Sequence, residues 1–277
     1  MSQLYDILAE IKNQPTKYLR QTSLPHLFMF LNGYQIAKRD LRISITSQEQ
    51  EFYRDFQPWI QKKLKVKTVN SWANIIQLFS INDREAFNYF FELLAEFNQG
   101  EKPSEPPSLK EYAWKNPQAT PSITADNNFY QLLDKIQARP ALYLGKRSIF
   151  SLQAFLDGYT LACRQLGIPV TEQEQEFAEF QDWIEKQFNQ QSTRSWARII
   201  LFYSEDESQA LDTFFQLFEN FLQRESSAMP TQSLATSSPE NGNKKQLNSM
   251  LENLSEEALA QLREFAESLH QQEESPV

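Results

Sequence analysis

An internal repeat is the feature that most constrains what this chain can fold into. Residues 5–97 align with residues 130–221, with one additional residue in the first copy. About two positions in five are identical over roughly 95 residues, well above the chance level for so long a period. Each copy is long enough to bury a core of its own. The repeat therefore predicts a tandem duplication, with one domain in residues 1–98 and another in residues 128–224.

Each copy has the sequence pattern of a helical domain. In the second copy, Ser148 can cap a helix whose apolar residues recur at helical spacing as far as Cys163. Thr171, followed three residues later by Glu174, has the form of a capping box at the start of the next helix. The alternation expected of a strand is present only in residues 64–69, and the counterpart of that segment lacks it. These patterns predict an all-α fold with about five helices in each copy.

Three segments lie outside the copies. Residues 99–127 contain five prolines, a composition typical of an extended linker. Residues 225–246 are rich in Ser, Gln, Asn and Pro, which predicts a disordered linker. Residues 247–272 are predicted to form a C-terminal amphipathic helix, with its apolar stripe within residues 255–269. A helix of about 15 residues is marginal alone in water. The helix therefore needs a partner, and docking on its own domains, self-association and binding to another protein are open alternatives.

The residue types that carry catalysis are sparse. Cys163, the only cysteine, lies on the apolar stripe of its helix, which predicts a buried and unreactive thiol. His26 and His270 have no cysteine or second histidine near them in the sequence, so neither a metal site nor a nucleophile–histidine pair is indicated. The acidic clusters at 172–176 and 205–207 occupy first turns of predicted helices, where they interact favourably with the helix dipole. We expect no catalytic residue, no bound metal and no cofactor, and therefore no enzyme.

The segment RPALYLG at residues 139–145 is the best candidate for a ligand site. Taken alone it resembles the RPxMYIG loop of type II topoisomerase ATPase domains, but the helix after it has neither the Asn nor the Glu that position Mg²⁺-ATP there. We reject nucleotide binding and retain, as the alternative to protein binding, a small-ligand or enzyme site formed by Arg139, Tyr143 and Gly145. The glycine predicts a positive φ at the end of the segment. Arg20 occupies its place in the first copy and predicts a different turn there.

Four motifs extend over the repeat: RPxxYLG, SIxxLxxFLxGY, SWxxII and FFxLFxxF. Together they resemble a family of conserved bacterial proteins, familiar from cyanobacteria and actinomycetes, for which no activity is established. The resemblance covers about nine-tenths of each copy and implies a helical fold, here in tandem duplicate. Some small helical families of this kind lie near toxin genes, so the resemblance implies an immunity- or antitoxin-like regulatory role.

Two residue pairs that the copies share indicate packing. Gly33 and Gly158 lie inside predicted helices, where glycine costs about 1 kcal/mol relative to alanine, and this predicts close approach of another helix. Trp72 and Trp196 each follow a serine and come before a pair of isoleucines. Core packing is the favoured interpretation of both tryptophans. The alternative is an anchor in a binding interface, and for that role we retain Trp196.

Charge and composition limit the possible partners. The formal net charge is −9 and the pI is about 5.0, which argues against nucleic acid despite a basic run at residues 62–67. No apolar stretch is long enough to span a membrane, and a single cysteine favours a reducing cytoplasm. The sequence therefore predicts a non-enzymatic cytoplasmic protein that binds another protein, or itself through the C-terminal helix.

Overall fold

The computed structural model describes residues 4–100, 129–190 and 194–224, all of which fall within one compact unit. Within these ranges the protein is all-helical, as predicted, and residues 64–69 form a turn and an extended segment and no strand.

Of the three predicted segments outside the copies, the structure describes only residues 99 and 100. Gln99, placed in the first linker, is the last residue of a helix. The remainder of that linker after residue 100, the disordered linker 225–246 and the C-terminal helix 247–272 lie outside the described residues.

The helices of the described ranges form two sets of six that follow the same order and have nearly the same lengths. The first half consists of α1 (Leu4–Asn13), α2 (Pro15–Leu19), α3 (Leu24–Asp40), α4 (Ser47–Lys63), α5 (Trp72–Leu78) and α6 (Asp83–Gln99). The second half consists of α7 (Phe129–Ala138), α8 (Pro140–Leu144), α9 (Ile149–Gln165), α10 (Glu172–Gln187), α11 (Trp196–Phe202) and α12 (Glu207–Gln223). The common origin of the two halves stays a prediction.

The prediction of about five helices in each copy missed the short helices α2 and α8. They begin at Pro15 and Pro140, the residues that end the preceding helices. Proline lacks an N–H and has φ fixed near −65°, which suits the first turn of a helix. The same residue therefore ends one helix and starts the next, so the segment between two long helices is not a simple loop.

The two halves meet mainly where α3 crosses α9. The backbones are in direct contact at this crossing because each helix has a glycine there. A Cβ atom on Gly33 would lie 2.0 Å from the carbonyl oxygen of Phe155. A Cβ atom on Gly158 would lie 2.0 Å from the carbonyl oxygen of Phe30, so the contact is reciprocal. The prediction that these glycines allow another helix to approach closely is confirmed.

Alanine at Gly33 or Gly158 should force α3 and α9 apart. We expect each substitution to lower the free energy of unfolding by about 3 kcal/mol or more, because the added methyl group overlaps backbone atoms that cannot move independently. Elsewhere in a helix, replacing glycine by alanine stabilises the protein by about 1 kcal/mol. A loss of stability at Gly33 or Gly158 would therefore in itself indicate the close contact. Urea denaturation measures the change. Gly167→Ala is the control, since its methyl group would meet nothing within 4 Å and only its positive φ opposes it. Losses at the crossing no larger than the loss at Gly167 would contradict the close contact.

Each half also has an aromatic core of its own. The ring of Trp72 lies 4.9 Å from that of Phe90, and the ring of Trp196 lies 4.8 Å from that of Phe214. Both tryptophans are less than one-tenth exposed. The structure therefore places them among core residues, the favoured interpretation of the sequence.

The helix ends of the two halves share an uncommon backbone conformation. Gly145 has φ +69°, so the predicted positive φ at that position is confirmed. The prediction of a different turn at Arg20 is wrong, because Arg20 has φ +60° and its N–H bonds to the Thr16 carbonyl as a left-handed helix cap. The helix end sets this conformation whichever residue occupies it, at a cost of about 1 kcal/mol for a residue with a Cβ. Positive φ occurs in three equivalent pairs of the described residues: Arg20 and Gly145, Arg42 and Gly167, Lys65 and Asn189.

Each half buries one glutamate at the start of a helix and neutralises it in its own way. Glu49 closes the capping box of α4 and accepts hydrogen bonds from Lys38 Nζ at 2.8 and 2.9 Å. In the second half, Glu174 closes the capping box of α10 and forms an ion pair with Arg164. Cys163 stands at the position of Lys38 and is fully buried, which confirms the predicted burial of the thiol.

Lys38→Met should leave the charge of Glu49 buried without its cation. We expect a loss of about 3–5 kcal/mol in the free energy of unfolding, measured by urea denaturation. Adding Glu49→Gln should recover part of that loss, because a neutral amide is less costly to bury than a carboxylate. Lys186→Met, at an exposed position of α10, serves as the control. A loss at Lys38 similar to that at Lys186 would show that the buried pair contributes no stability.

Candidate functional site

Ser23, His26 and Asp83 come together where α3 and α6 begin, and these are the residue types of a hydrolase triad. Ser23 Oγ donates a hydrogen bond to Asp83 Oδ2 at 2.9 Å, and His26 Nδ1 lies 2.8 Å from the same Oγ. The order differs from a catalytic triad, because the serine gives its proton to the carboxylate and not to the histidine. Ser23 is only 1% exposed, and burial lowers the pKa of His26. The group ties two helices together and presents no accessible nucleophile. Local sequence spacing does not reveal this group, because Asp83 is distant from Ser23 and His26 along the chain.

Residues 139–145, the candidate ligand segment of the sequence, form α8 and its two ends. Arg139 is exposed as the residue before the helix. Tyr143 is buried, and burial raises the pKa of its hydroxyl. Gly145 is exposed after the helix. Next to α2, the two halves enclose a cleft. None of these three residues lines this cleft, whereas the fourth candidate, Trp196, does.

This cleft has a volume of about 900 Å³ and is formed by both halves. Its first-half wall is α2 together with Arg20 and Phe30. Its second-half wall comes from α9, α10 and the start of α11. The wall combines an apolar part with a charged part. The apolar part includes Phe30, Leu156, Phe177 and Trp196, and the charged part includes Lys17, Arg20, Asp157, Arg164, Glu174, Glu185 and Arg194.

A smaller pocket of about 270 Å³ shares part of its wall with the cleft. We call it the basic pocket because Arg20, Arg194 and Arg198 line it, against Asp157 as the one carboxylate of its lining. Arg20 and Asp157 form an ion pair between the halves, with Nε–Oδ2 at 3.1 Å and Nη2–Oδ1 at 3.3 Å. Burial raises the pKa of Asp157, and the nearby Arg20 guanidinium offsets part of that effect.

Gln153 lies in the wall that the cleft and the basic pocket share. Its side chain is almost completely buried, at 5% exposure. Oε1 accepts a hydrogen bond from Ser195 Oγ at 3.0 Å, whereas Nε2 has no hydrogen-bond partner in the part of the chain that the structure describes. A buried donor without a partner costs about 1–3 kcal/mol. The equivalent residue of the first half is Phe28, whose ring lies 5.1 Å from that of Trp72, so an apolar side chain suits this position of the fold.

Six polar residues of the cleft and the basic pocket are replaced by residues of another kind at the equivalent positions of the other half. Since both sets of residues are compatible with the same order of helices, the fold does not require the polar set. Positions at which the two copies differ are the sequence signal of this set. The replacements, cleft residue first, are Lys17 by Leu142, Arg20 by Gly145, Gln153 by Phe28, Asp157 by Asn32, Arg194 by Asn70 and Arg198 by Asn74.

A second feature is a pair of exposed apolar segments, which we call the apolar corners. One corner consists of Leu78, Phe79 and Ile81 between α5 and α6, and the other of Phe202 and Tyr203 between α11 and α12. They occupy equivalent positions in the two halves. Their side chains are between 49% and 90% exposed, in a protein whose other aromatic residues mostly fill its cores.

Neither metal ligation nor membrane insertion is indicated by the part of the chain that the structure describes. No group of three or more His, Cys, Asp or Glu side chains in it could hold a metal ion. No helix in the same ranges has the length and apolar character needed to cross a membrane. Comparison of the chain with models of protein families, with curated proteins and with solved structures finds no match.

The stability of the protein should depend on the protonation of Asp157. Because its pKa is raised in the folded state, the folded protein binds more protons than the unfolded chain above the ordinary carboxyl pKa of 3.8. The contribution of Asp157 to the free energy of unfolding is therefore greatest at low pH, and it decreases as pH rises through the raised pKa. Asp157→Asn, which introduces the residue found at position 32, removes this loss.

We expect the free energy of unfolding of Asp157→Asn, relative to the parent protein, to increase as pH rises from about 4 to about 7. Urea denaturation at several pH values measures this difference. Asp182→Asn, at an exposed position of α10, is the control and should show no such trend. A difference that is constant with pH, or that decreases as pH rises, would contradict the raised pKa.

Proposed function

We propose that this protein acts by binding another protein and not by catalysing a reaction. The apolar corners carry the proposal. Phe202 is 79% exposed and Ile81 is 90% exposed, although each half has an aromatic core in which such side chains are buried. Exposed aromatic and aliphatic side chains of this size are typical of protein interaction sites.

The energetic argument follows from the apolar area that a partner would cover. Complete burial of one large apolar side chain contributes about 1.5–3 kcal/mol, so covering the residues of both corners provides a substantial part of a binding free energy. The corners occupy equivalent positions in the two halves, which gives a partner two similar anchoring points. This arrangement favours a partner that has a repeated or two-fold symmetric surface.

The residues that could carry a reaction support binding over catalysis. Cys163 and Ser23 are buried, and the only described histidine, His26, bonds to a serine hydroxyl that is itself committed to Asp83. The immunity- or antitoxin-like role implied by the family resemblance is one in which binding is itself the activity. We place that role in the cytoplasm, because a single buried cysteine suits a reducing compartment.

The double variant Leu78→Ser, Phe202→Ser tests the proposal. Affinity purification of the full chain from cells of its source, followed by mass spectrometry, should recover a partner in stoichiometric amount. We expect the double variant to lose at least nine-tenths of that partner, because each exposed apolar side chain contributes anchoring area. Leu142→Ser is the matched control, since Leu142 is also an exposed leucine but lies outside the corners.

Two results would contradict the proposal. Recovery of the bait alone, in repeated purifications of the parent protein, would remove the support for a protein partner. Equal recovery of a partner by the parent and the double variant would show that the corners are not the binding surface. Light scattering on the same samples separates self-association from binding to a different chain.

A further inference from the structure

We infer that the cleft binds an anionic small molecule, with a carboxylate or phosphate group in the basic pocket and an apolar part against the wall of the cleft. This inference is independent of the protein partner proposed for the apolar corners. Cavities of 300–1,000 Å³ with a mainly apolar wall and a few polar groups are typical of small-ligand sites. The cleft, at about 900 Å³, falls within that range.

The buried amide of Gln153 indicates that the ligand has a hydrogen-bond acceptor. Gln153 lines both the cleft and the basic pocket, and its buried Nε2 has no hydrogen-bond partner among the described residues. Leaving this donor unsatisfied lowers stability, and Phe28 shows that the same position accepts an apolar residue. A ligand oxygen that accepts from Nε2 supplies the missing bond. Specificity arises at the same point, because an analogue without this oxygen would leave the donor unsatisfied.

The charge of the basic pocket indicates that the acceptor belongs to an anion. Arg20 is already paired with Asp157, the one carboxylate of the lining. Among the described residues, Arg198 bonds to the neutral side chain of Gln21, with its Nη2 3.4 Å from Oε1, and lies against the ring of Phe150. The lining holds three arginines, Arg194 among them, and one carboxylate. Arginine binds carboxylate and phosphate oxygens in a bidentate geometry, which suits both kinds of anion.

The apolar side of the ligand faces residues of the second half. Leu156, Phe177 and Trp196 line the cleft, and the small side chain of Ala178 lies in the same wall. A planar or branched apolar group of modest size therefore has a surface to pack on. The expected class is an aromatic or aliphatic acid, or the corresponding phosphate ester.

Isothermal titration of the full chain with phenylacetate and with phenyl phosphate tests the inference, at constant ionic strength. Benzyl alcohol, which has a similar ring but no charge, is the ligand control. We expect saturable binding of at least one anion to one site, and no saturable binding of benzyl alcohol. Binding of phenylacetate alone identifies a carboxylate ligand, and binding of phenyl phosphate alone identifies a phosphorylated one.

Variants then locate the site. Arg198→Asn introduces the residue of position 74 and should weaken anion binding at least tenfold. Gln153→Leu removes the buried donor with little change in volume and should weaken it at least threefold. Arg84→Asn, at an exposed arginine of α6, is the matched control and should bind as the parent does. Thermal unfolding of each variant checks that it is folded.

Three results would overturn the inference. They are the absence of saturable binding by both anions, equal affinity of the parent and Arg198→Asn, and equal binding of benzyl alcohol. If Arg198→Asn weakens binding and Gln153→Leu does not, the role assigned to the Gln153 amide is wrong. The ring protons of His26, which lines the basic pocket, provide a second readout by nuclear magnetic resonance. An anion in the pocket should shift these signals in the parent, and unshifted signals at saturation would place the anion elsewhere.

Discussion

Direct backbone contact between α3 and α9 is the constraint on which the rest of the structure depends. At Gly33 and Gly158 there is no room for a Cβ atom, so the helices meet at a distance that only glycine permits. A contact of this kind fixes both the separation and the register of the helices, because a shift of one residue would bring a side chain into the crossing. The position of α2 against α9 follows from it, and so does the ion pair between Arg20 and Asp157.

The two halves use one framework for different purposes. The repeated order of helices, the paired aromatic cores and the three pairs of positive-φ residues belong to the framework. Local chemistry varies around it: Lys38 neutralises the buried glutamate of the first half, and Arg164 neutralises that of the second. The lining of the cleft belongs to this variable part. Gln153 stands where the first half has the aromatic residue Phe28, so the polar lining includes a substitution that folding did not require.

The helices and their capping residues could be predicted from the sequence because they depend on local spacing. Ser148 accepts from the Ser151 N–H and Thr171 forms its capping box, as the pattern indicated. The close crossing could also be predicted, because a glycine inside a helix has a cost that needs a reason. The conformation of Arg20 could not, since a residue preference is weaker than the geometry that a helix end imposes. The cleft could not either, because it depends on how the two halves meet, and nothing in the spacing of either copy specifies their relative orientation.

The composite construction of the cleft couples ligand binding to the docking of the halves. Arg20 belongs to the first half and Arg198 to the second, so a ligand that contacts both binds only the docked arrangement. Such a ligand stabilises docking by about 2.7 kcal/mol at a concentration one hundred times its Kd. By thermodynamic reciprocity, a change that weakens the docking of α3 on α9 also weakens ligand binding, by the same coupling free energy. Each apolar corner consists of residues of one half only. Binding at a corner therefore does not depend on how the halves dock. The proposed protein partner and the inferred ligand would therefore bind independently of each other.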